Sequence, residues 1–292
     1  MGSENRRRRL RPRRHRITWS DSLAAVSWMT DRDFDICNDL YRHLVMITHQ
    51  LAALHFTQLR QAEKRLKTLY DRGLLERFQP WRPTGSAPYH YILDDLGAHV
   101  LAGHYDLDVK YLLKRLDRDR GLAHSRRLDH ILEINDFFVD LICRCREAAG
   151  CRLLTWWSEH RCDKRWRSSR DSDPLVRPDA QGLLQGPNGK VSFFLEIDRG
   201  TERGAMLTNK LEPYAHVARM TMGPGVLLFL FPSANRELHA RRKLHPVEGL
   251  VIATSHQELH ERDPLGCNWK PLDSDERVPL IELRSNREKV EL

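Results

Sequence analysis

Apolar positions recur at helical spacing from Asp33 to Tyr41 and again from His49 to Phe56. A third run, opened by Thr57, places Leu59, Ala62, Leu66 and Leu69 on one face. A repeat of three to four residues marks an amphipathic helix, and Thr48 and Thr57 supply N-cap side chains for the second and third. Gly73 is suited to end the third, because only glycine enters the left-handed region without steric cost. Two alternating runs follow, Leu74–Phe78 and Tyr89–Leu93, joined by a Pro/Gly/Ser-containing loop. Ser20–Asp31 reads as a short mixed stretch ahead of the first helix.

Three helices and a hairpin in that order predict a winged helix-turn-helix over residues 32–104. In that fold the third helix usually enters the major groove and the wing lies along the backbone. The outward face of the third helix carries Gln58, Arg60, Gln61, Lys64, Arg65 and Lys67, and the wing carries Arg77 and Arg82. Gln and Arg can read base edges, whereas Lys more often holds phosphate. The same charge also suits a plain solvated helix, or a winged helix that binds protein.

Asp94 and Asp95 open a helix through Leu101, and Leu107–Arg120 reads as a charged linker or packing helix. A long helix over Leu128–Ala149 opens a second domain. Strands are expected at Arg152–Trp157, Val176–Gln185, Val191–Asp198, Val226–Pro232 and Leu250–Ser255, with helices around Lys210 and over Asn235–Leu244. Arg161–Asp173, polar and charged, reads as a mobile loop. In Val191–Asp198 the residues Ser192, Phe194, Glu196 and Asp198 alternate with apolar partners, so Glu196 and Asp198 share a face. The turn signal Pro187-Asn188-Gly189 folds this strand back on the previous one and sets Asp179 opposite Glu196.

Carboxylates gathered beside a lysine have the chemistry of a Mg²⁺ or Mn²⁺ site acting on phosphodiesters. Asp179, Glu196 and Asp198 are the candidate ligands, Lys210 the candidate cation for the transition state, and Glu159 a further acid past the first strand. Asp198 could equally hydrogen-bond Arg199 and Thr201. The competing account is a nuclease fold retained for binding, its acids surviving as hydrogen-bonded polar residues.

Asp179, Glu196 and a lysine in an α-β-β-β-α-β succession resemble the PD-(D/E)xK, restriction-endonuclease-like core. The fuller resemblance is to the replication-relaxation proteins of actinobacterial plasmids and integrative elements. It is carried by Leu51-Ala-Ala-Leu-His-Phe56, Pro88-Tyr-His-Tyr-Ile-Leu93, Trp156-Trp-Ser-Glu159, Arg177-Pro-Asp179 and Leu195-Glu-Ile-Asp-Arg-Gly-Thr201, with Lys210 and Tyr214 downstream. It implies a two-domain α+β or α/β protein with a role on double-stranded DNA in replication, mobilisation or transfer. A relaxase or replication initiator, and a second copy of the chain, are the protein partners to consider. Where the nuclease pattern has lysine two residues after the acid, this chain has Asp198, so Lys210 would have to reach in from the helix that follows. The alternative is a non-catalytic origin-binding accessory or a transcriptional regulator.

Charge adds an arm to this picture. Residues 1–16 hold eight arginines, including Arg6, Arg7, Arg8 and Arg9, against Glu4, so the arm carries nearly all of the chain's formal +8. Such a run suits phosphate contact through counterion release, and equally a solubilising tail. The expected division is a basic arm over 1–31, the winged helix, a linker helix over 105–127, the nuclease-like domain over 128–272 and a tail over 273–292. The longest apolar run, Val226–Phe231, is far short of the ~20 residues of a membrane helix, and no apolar segment follows the basic stretch. No membrane contact and a cytoplasmic location are expected. The six cysteines lack zinc spacing and read as incidental thiols.

Overall fold

The computed structural model describes residues 17–80, 84–121, 125, 127–167, 173–200, 204–220 and 223–283. The chain divides into two compact units, with the division between Asn135 and Asp136. Both are mixtures of helices and sheet.

The first unit begins with α1 (Trp19–Val26), which replaces the expected mixed stretch. Its cause is local: Thr18 Oγ1 accepts from Asp21 N–H while Asp21 accepts from Thr18 N–H at 2.8 Å, a reciprocal capping box. At α2 (Asp31–His43) the acid half alone is made, with Asp33 Oδ2 accepting from Thr30 N–H at 2.8 Å and from the Thr30 hydroxyl at 2.9 Å. Then come β1 (Met46–Ile47), α3 (Thr48–His55) and α4 (Leu59–Asp71). Thr48 is the first helical residue of α3, not its cap, and Gln58, not Thr57, is the N-cap of α4. Gly73 has φ +83°, the left-handed turn that stops α4.

The strands β2 (Leu75–Phe78) and β3 (His90–Leu93) pair antiparallel, from Leu75 opposite Leu93 to Phe78 opposite His90. β1 adds to the free side of β3, giving the order β1-β3-β2. A two-residue strand is too short to announce itself by alternation. Next are α5 (Asp95–Tyr105), capped by Asp94, and α6 (Val109–Arg120). The expected linker helix is packed: Leu112 and Leu116 are buried, and Arg120 pairs with Asp94 at 2.7 Å and Asp95 at 3.0 Å. The first turns of α7 (Leu128–Glu147) complete this unit. Leu128 and Ile131 pack on Val45, Phe78 and Ile92, and Asn135 donates to the Val45 carbonyl at 2.7 Å.

The second unit holds a six-stranded sheet. It contains β4 (Arg152–Ser158), α8 (Glu159–Arg165), β5 (Ala180–Gly186), β6 (Gly189–Ile197), α9 (Gly204–Asn209), α10 (Leu211–Met220), β7 (Val226–Phe231), α11 (Ala234–Arg241), β8 (Val251–His256), α12 (Gln257–Arg262) and β9 (Lys270–Pro271). The order is β4-β5-β6-β7-β8-β9. β4, β5 and β6 form an antiparallel meander, β6, β7 and β8 run parallel, and β9 closes the far edge antiparallel. The register of β4 slips between Leu153 and Thr155.

Alternation along β6 sorts the two faces. Phe193 faces Phe137 and Phe138 of α7, and Phe138 also stacks on Trp156. Gly182, paired with Phe193, has no room for a side chain, since a Cβ there would overlap the Phe193 ring. On the other face Phe194 packs with Leu211, Tyr214, Leu227, Phe229, Phe231 and Ile252.

Several boundaries differ from expectation for identifiable reasons. β5 starts at Ala180, not Val176, because Pro178 has no N–H to give a ladder. The expected loop after β4 is instead α8 as far as Arg165, while residues 168–172 lie outside the described residues. Residues 273–283 are held against the sheet, and 284–292 lie outside the described residues. Arg241 donates to the carbonyls of Lys270 at 2.7 Å and Pro271 at 2.9 Å. Arg277 pairs with Glu237 at 2.6 Å, and the same carboxylate takes Thr254 at 2.6 Å and His256 at 2.8 Å. No described helix is long and apolar enough to cross a membrane.

Candidate functional site

The meander sets three acids in one cross-strand row. Ser158 pairs with Ala180 and Ala180 with Leu195, so the next position along is Glu159 on one side, Asp179 in the middle and Glu196 on the other. Asp179 Oδ2 accepts the Ile197 N–H at 2.7 Å, which anchors the carboxylate against β6. Glu196 is buried on the α10 face and is met by two donors. Lys210 Nζ lies 2.7 Å from its Oε2, and the Tyr214 hydroxyl donates to its Oε1.

Lys210 reaches the site from a turn, not from within a helix. Pro213 lacks the N–H that would bond the Asn209 carbonyl, so the helical run breaks into α9 and α10 with Lys210 between them. Tyr214, one turn further, follows the same face inward and is itself buried.

The electrostatics are unbalanced toward negative charge. Burial, followed by the neighbouring charge of Asp179, pushes the Glu196 carboxyl up to about 7, although Lys210 and Tyr214 pull the other way. Tyr214 is raised well above its ordinary value by burial and by Glu196. Cys162, buried under the same site, is raised by burial and by the charges of Asp163, Glu159 and Asp179.

Asp198 does not join this group. Its Oδ2 lies 2.6 Å from Arg236 Nε and its Oδ1 accepts the Gly200 N–H at 2.8 Å. Arg199 and Thr201 were the alternative partners for Asp198; Thr201 lies outside the described residues, and the charged partner seen is Arg236 of α11, which the sequence does not signal. Glu159 stands in the row at the start of α8 and is half-buried. Among the described residues, no three His, Cys, Asp or Glu side chains are gathered as a metal cage. Two carboxylates, Asp179 and Glu196, remain as the donors near Lys210.

In the first unit, Gln58, Arg60, Gln61, Lys64 and Lys67 are exposed along α4, and Lys67 pairs with Asp71. Arg65 is half-buried, its guanidinium on the buried Asp33 and over the Trp28 ring. Arg77 is stacked between Tyr70 at 4.2 Å and Tyr89 at 4.1 Å. Arg82, Arg6, Arg7, Arg8 and Arg9 lie outside the described residues. Tyr214 was already named beside Lys210 in the sequence; Asp33 is the residue of consequence that the pattern did not single out, and the Thr30-x-x-Asp33 spacing is the signal that could have found it.

A prediction about charge follows from Glu196. Its folded pKa lies above the ordinary 4.5, so the native state binds more protons than the unfolded chain between about 4.5 and about 7, and stability falls as pH rises through that window. Glu196→Gln removes this liability. Its melting temperature should exceed that of the wild type at pH 8, by about 2–4 °C per kcal/mol recovered, and the gap should close toward pH 4.5. An unchanged gap across that range, measured without added divalent ions, would show that Glu196 does not titrate there.

No curated protein and no solved structure matches the chain. A family model does, the one described as replication-relaxation, over residues 38–224. That span takes in the three-stranded sheet of the first unit, the acidic row, Lys210 and Tyr214, and with well over half of the chain matched, this protein belongs to the replication-relaxation family.

Proposed function

We propose that this chain is a DNA-binding protein of a plasmid or integrative element, of actinobacterial type, that acts in replication or mobilisation and breaks a phosphodiester bond. Family membership supports the pathway. The helices α2, α3 and α4 followed by the β2-β3 hairpin support a winged helix, with α4 presenting Arg60, Gln61 and Lys64 to the duplex. The antiparallel β4-β5-β6 meander, flanked by α7 and α10, supports a PD-(D/E)xK nuclease-like second unit.

The observation that carries the chemistry is the carboxylate pair. Asp179 and Glu196 share one corner with Lys210, and burial, followed by the surplus negative charge of Asp179, raises Glu196. A divalent cation relieves that surplus. Mg²⁺ needs only one or two protein carboxylates when waters and substrate phosphate complete its shell, so this donor set fits Mg²⁺ or Mn²⁺ even without a three-acid cage. When bound, the ion polarises the scissile phosphate and lowers the pKa of a bound water. Asp179 and Glu196 would hold it. Lys210 would offer its charge to the developing phosphorane, and Tyr214 would fix the Glu196 rotamer. Asp198 serves the link to Arg236 instead.

The test is a cleavage assay on supercoiled DNA carrying the element's own origin. With the full chain, Mg²⁺ or Mn²⁺ should give nicked or linear product, EDTA none, and Ca²⁺ binding with little cleavage. A second reading has its own observation: both oxygens of Glu196 already accept from protein donors. On that reading the site is a structural relic and the protein an origin-binding accessory or transcriptional regulator. Tight binding with no cleavage in any metal would favour it.

A further inference from the structure

An acidic site is a poor place to bring a polyanion, because the carboxylates that would hold a cation also repel the DNA strand. Compensating positive charge has to stand beside it. The second unit provides this on α8 and the residue pair after it. Arg161, Lys164, Arg165 and Arg167 are all exposed there, four cations within seven positions. Glu159 is half-buried in the site row and Asp163 is half-buried.

This ridge is tied to the site by its supports. Ser158, the N-cap of α8, pairs with Ala180, the residue after Asp179. At the other end the Trp166 indole donates to Gln181 Oε1 at 3.0 Å, two residues beyond Asp179 on the same strand face. The Trp166 ring is buried against Phe194, the neighbour of the Glu196 face. Two of the guanidiniums lie on indoles, Arg161 over Trp157 at 4.8 Å and Arg165 over Trp166 at 5.1 Å. Such stacking limits the rotamers of a long side chain and leaves its N–H groups for an outside acceptor. Arg161 and Arg165 are one helical turn apart, so they face the same way. The segment is closed behind them by a bridge between Arg167 and Pro174.

We infer that the exposed face of α8, with Arg161, Lys164 and Arg165, together with Arg167 just after it, is a second DNA-backbone contact that holds a strand beside the Asp179–Glu196 corner. The inference rests on the nuclease-like reading of that corner. It assigns DNA contact to the second unit, apart from the recognition helix and the basic arm. It is independent of base sequence, since guanidinium and ammonium groups on an open ridge meet phosphates and not base edges.

The experiment uses the full chain and a short fluorescein-labelled duplex of mixed sequence, titrated in Ca²⁺ at several salt concentrations. Arg161→Gln with Arg165→Gln keeps polar stems over the indoles and removes two charges. The slope of log affinity against log salt should become shallower by about 2, with affinity near 0.15 M salt falling about 10-fold, while the melting temperature holds. Lys164→Gln with Arg167→Gln removes two charges without touching either indole stack, and should act alike if the first pair fails to fold. Unchanged slopes in folded variants would overturn the ridge. Cleavage by the wild type separates the two readings. A wild type that cleaves while folded variants keep the full slope retains the site and loses the ridge. A wild type that never cleaves while the slope drops loses the site reading and retains a backbone contact.

Discussion

Asp179→Ala and Glu196→Ala should each reduce metal-dependent cleavage of origin DNA to background while leaving duplex binding in Ca²⁺ close to wild type. The reason is positional. Both carboxylates lie at one end of the β5-β6 pair in the second unit, whereas the exposed Arg60, Gln61 and Lys64 lie on α4 in the first. Lys210→Ala should behave differently. Its ammonium, 2.7 Å from Glu196, is worth most as charge develops on the phosphorane, so cleavage should slow about 10²–10³-fold with metal affinity largely kept. Equal product from wild type and Asp179→Ala would place the activity at another site or in a contaminant. Asp198→Asn supplies the internal contrast, because that side chain serves Arg236 and the Gly200 N–H; it should cost stability and leave the proposed cleavage unchanged in the folded fraction.

The second large effect concerns the first unit. Asp33 is fully buried, caps α2 through Thr30, and takes both a 2.8 Å hydrogen bond and a second contact from Arg65 of α4. Burial works against its charge, but the Arg65 and Thr30 hydrogen bonds outweigh it and hold the carboxyl below the ordinary 3.8. Asp33→Ala strands a half-buried guanidinium and removes a cap, a loss of about 3 kcal/mol or more. Melting of the first unit should drop by roughly 10 °C on that basis. A second change, Arg65→Met, should recover part of the loss, since an apolar side chain leaves no orphaned charge. The pH dependence has the opposite sign to that of Glu196. The lowered pKa gives stability that is present above 3.8 and is lost as pH falls through the folded value. A drop below about 1 kcal/mol for Asp33→Ala would mean that the pair is solvated in solution, as surface pairs are.

Much of this architecture is written in local periodicity. The helix α4 was legible because Ala62, Leu66 and Leu69 repeat on one face, and all three are buried. The pairing of Asp179 with the Glu196 position was legible from the turn at Asn188 and the two-residue period of the strands. What periodicity cannot carry is partner choice at long range. Asp198 shares a face with Glu196, but whether it meets a metal or Arg236 depends on where α11 docks, thirty-odd residues downstream. Lys210 looked helical because the apolar pattern runs through it, while the break depends on one missing N–H at Pro213. The C-terminal stretch looked like a tail because its ties, Arg241 to Lys270 and Pro271, and Arg277 to Glu237, link residues far apart in sequence.

The two margins of the six-stranded sheet bear on how the protein behaves in concentrated solution. An open margin offers unpaired amide and carbonyl groups to any passing strand, and β4 carries exposed Leu154 as well as two tryptophans. Its register slip at Leu153 and Thr155 interrupts the regular repeat that a foreign strand would need to zip along it. At the other margin, β9 is two residues long and includes Pro271, which has no N–H to offer. The guanidinium of Arg241 further occupies the carbonyls of Lys270 and Pro271. An irregularity on one side and a tethered stub on the other thus both work against edge-to-edge strand pairing.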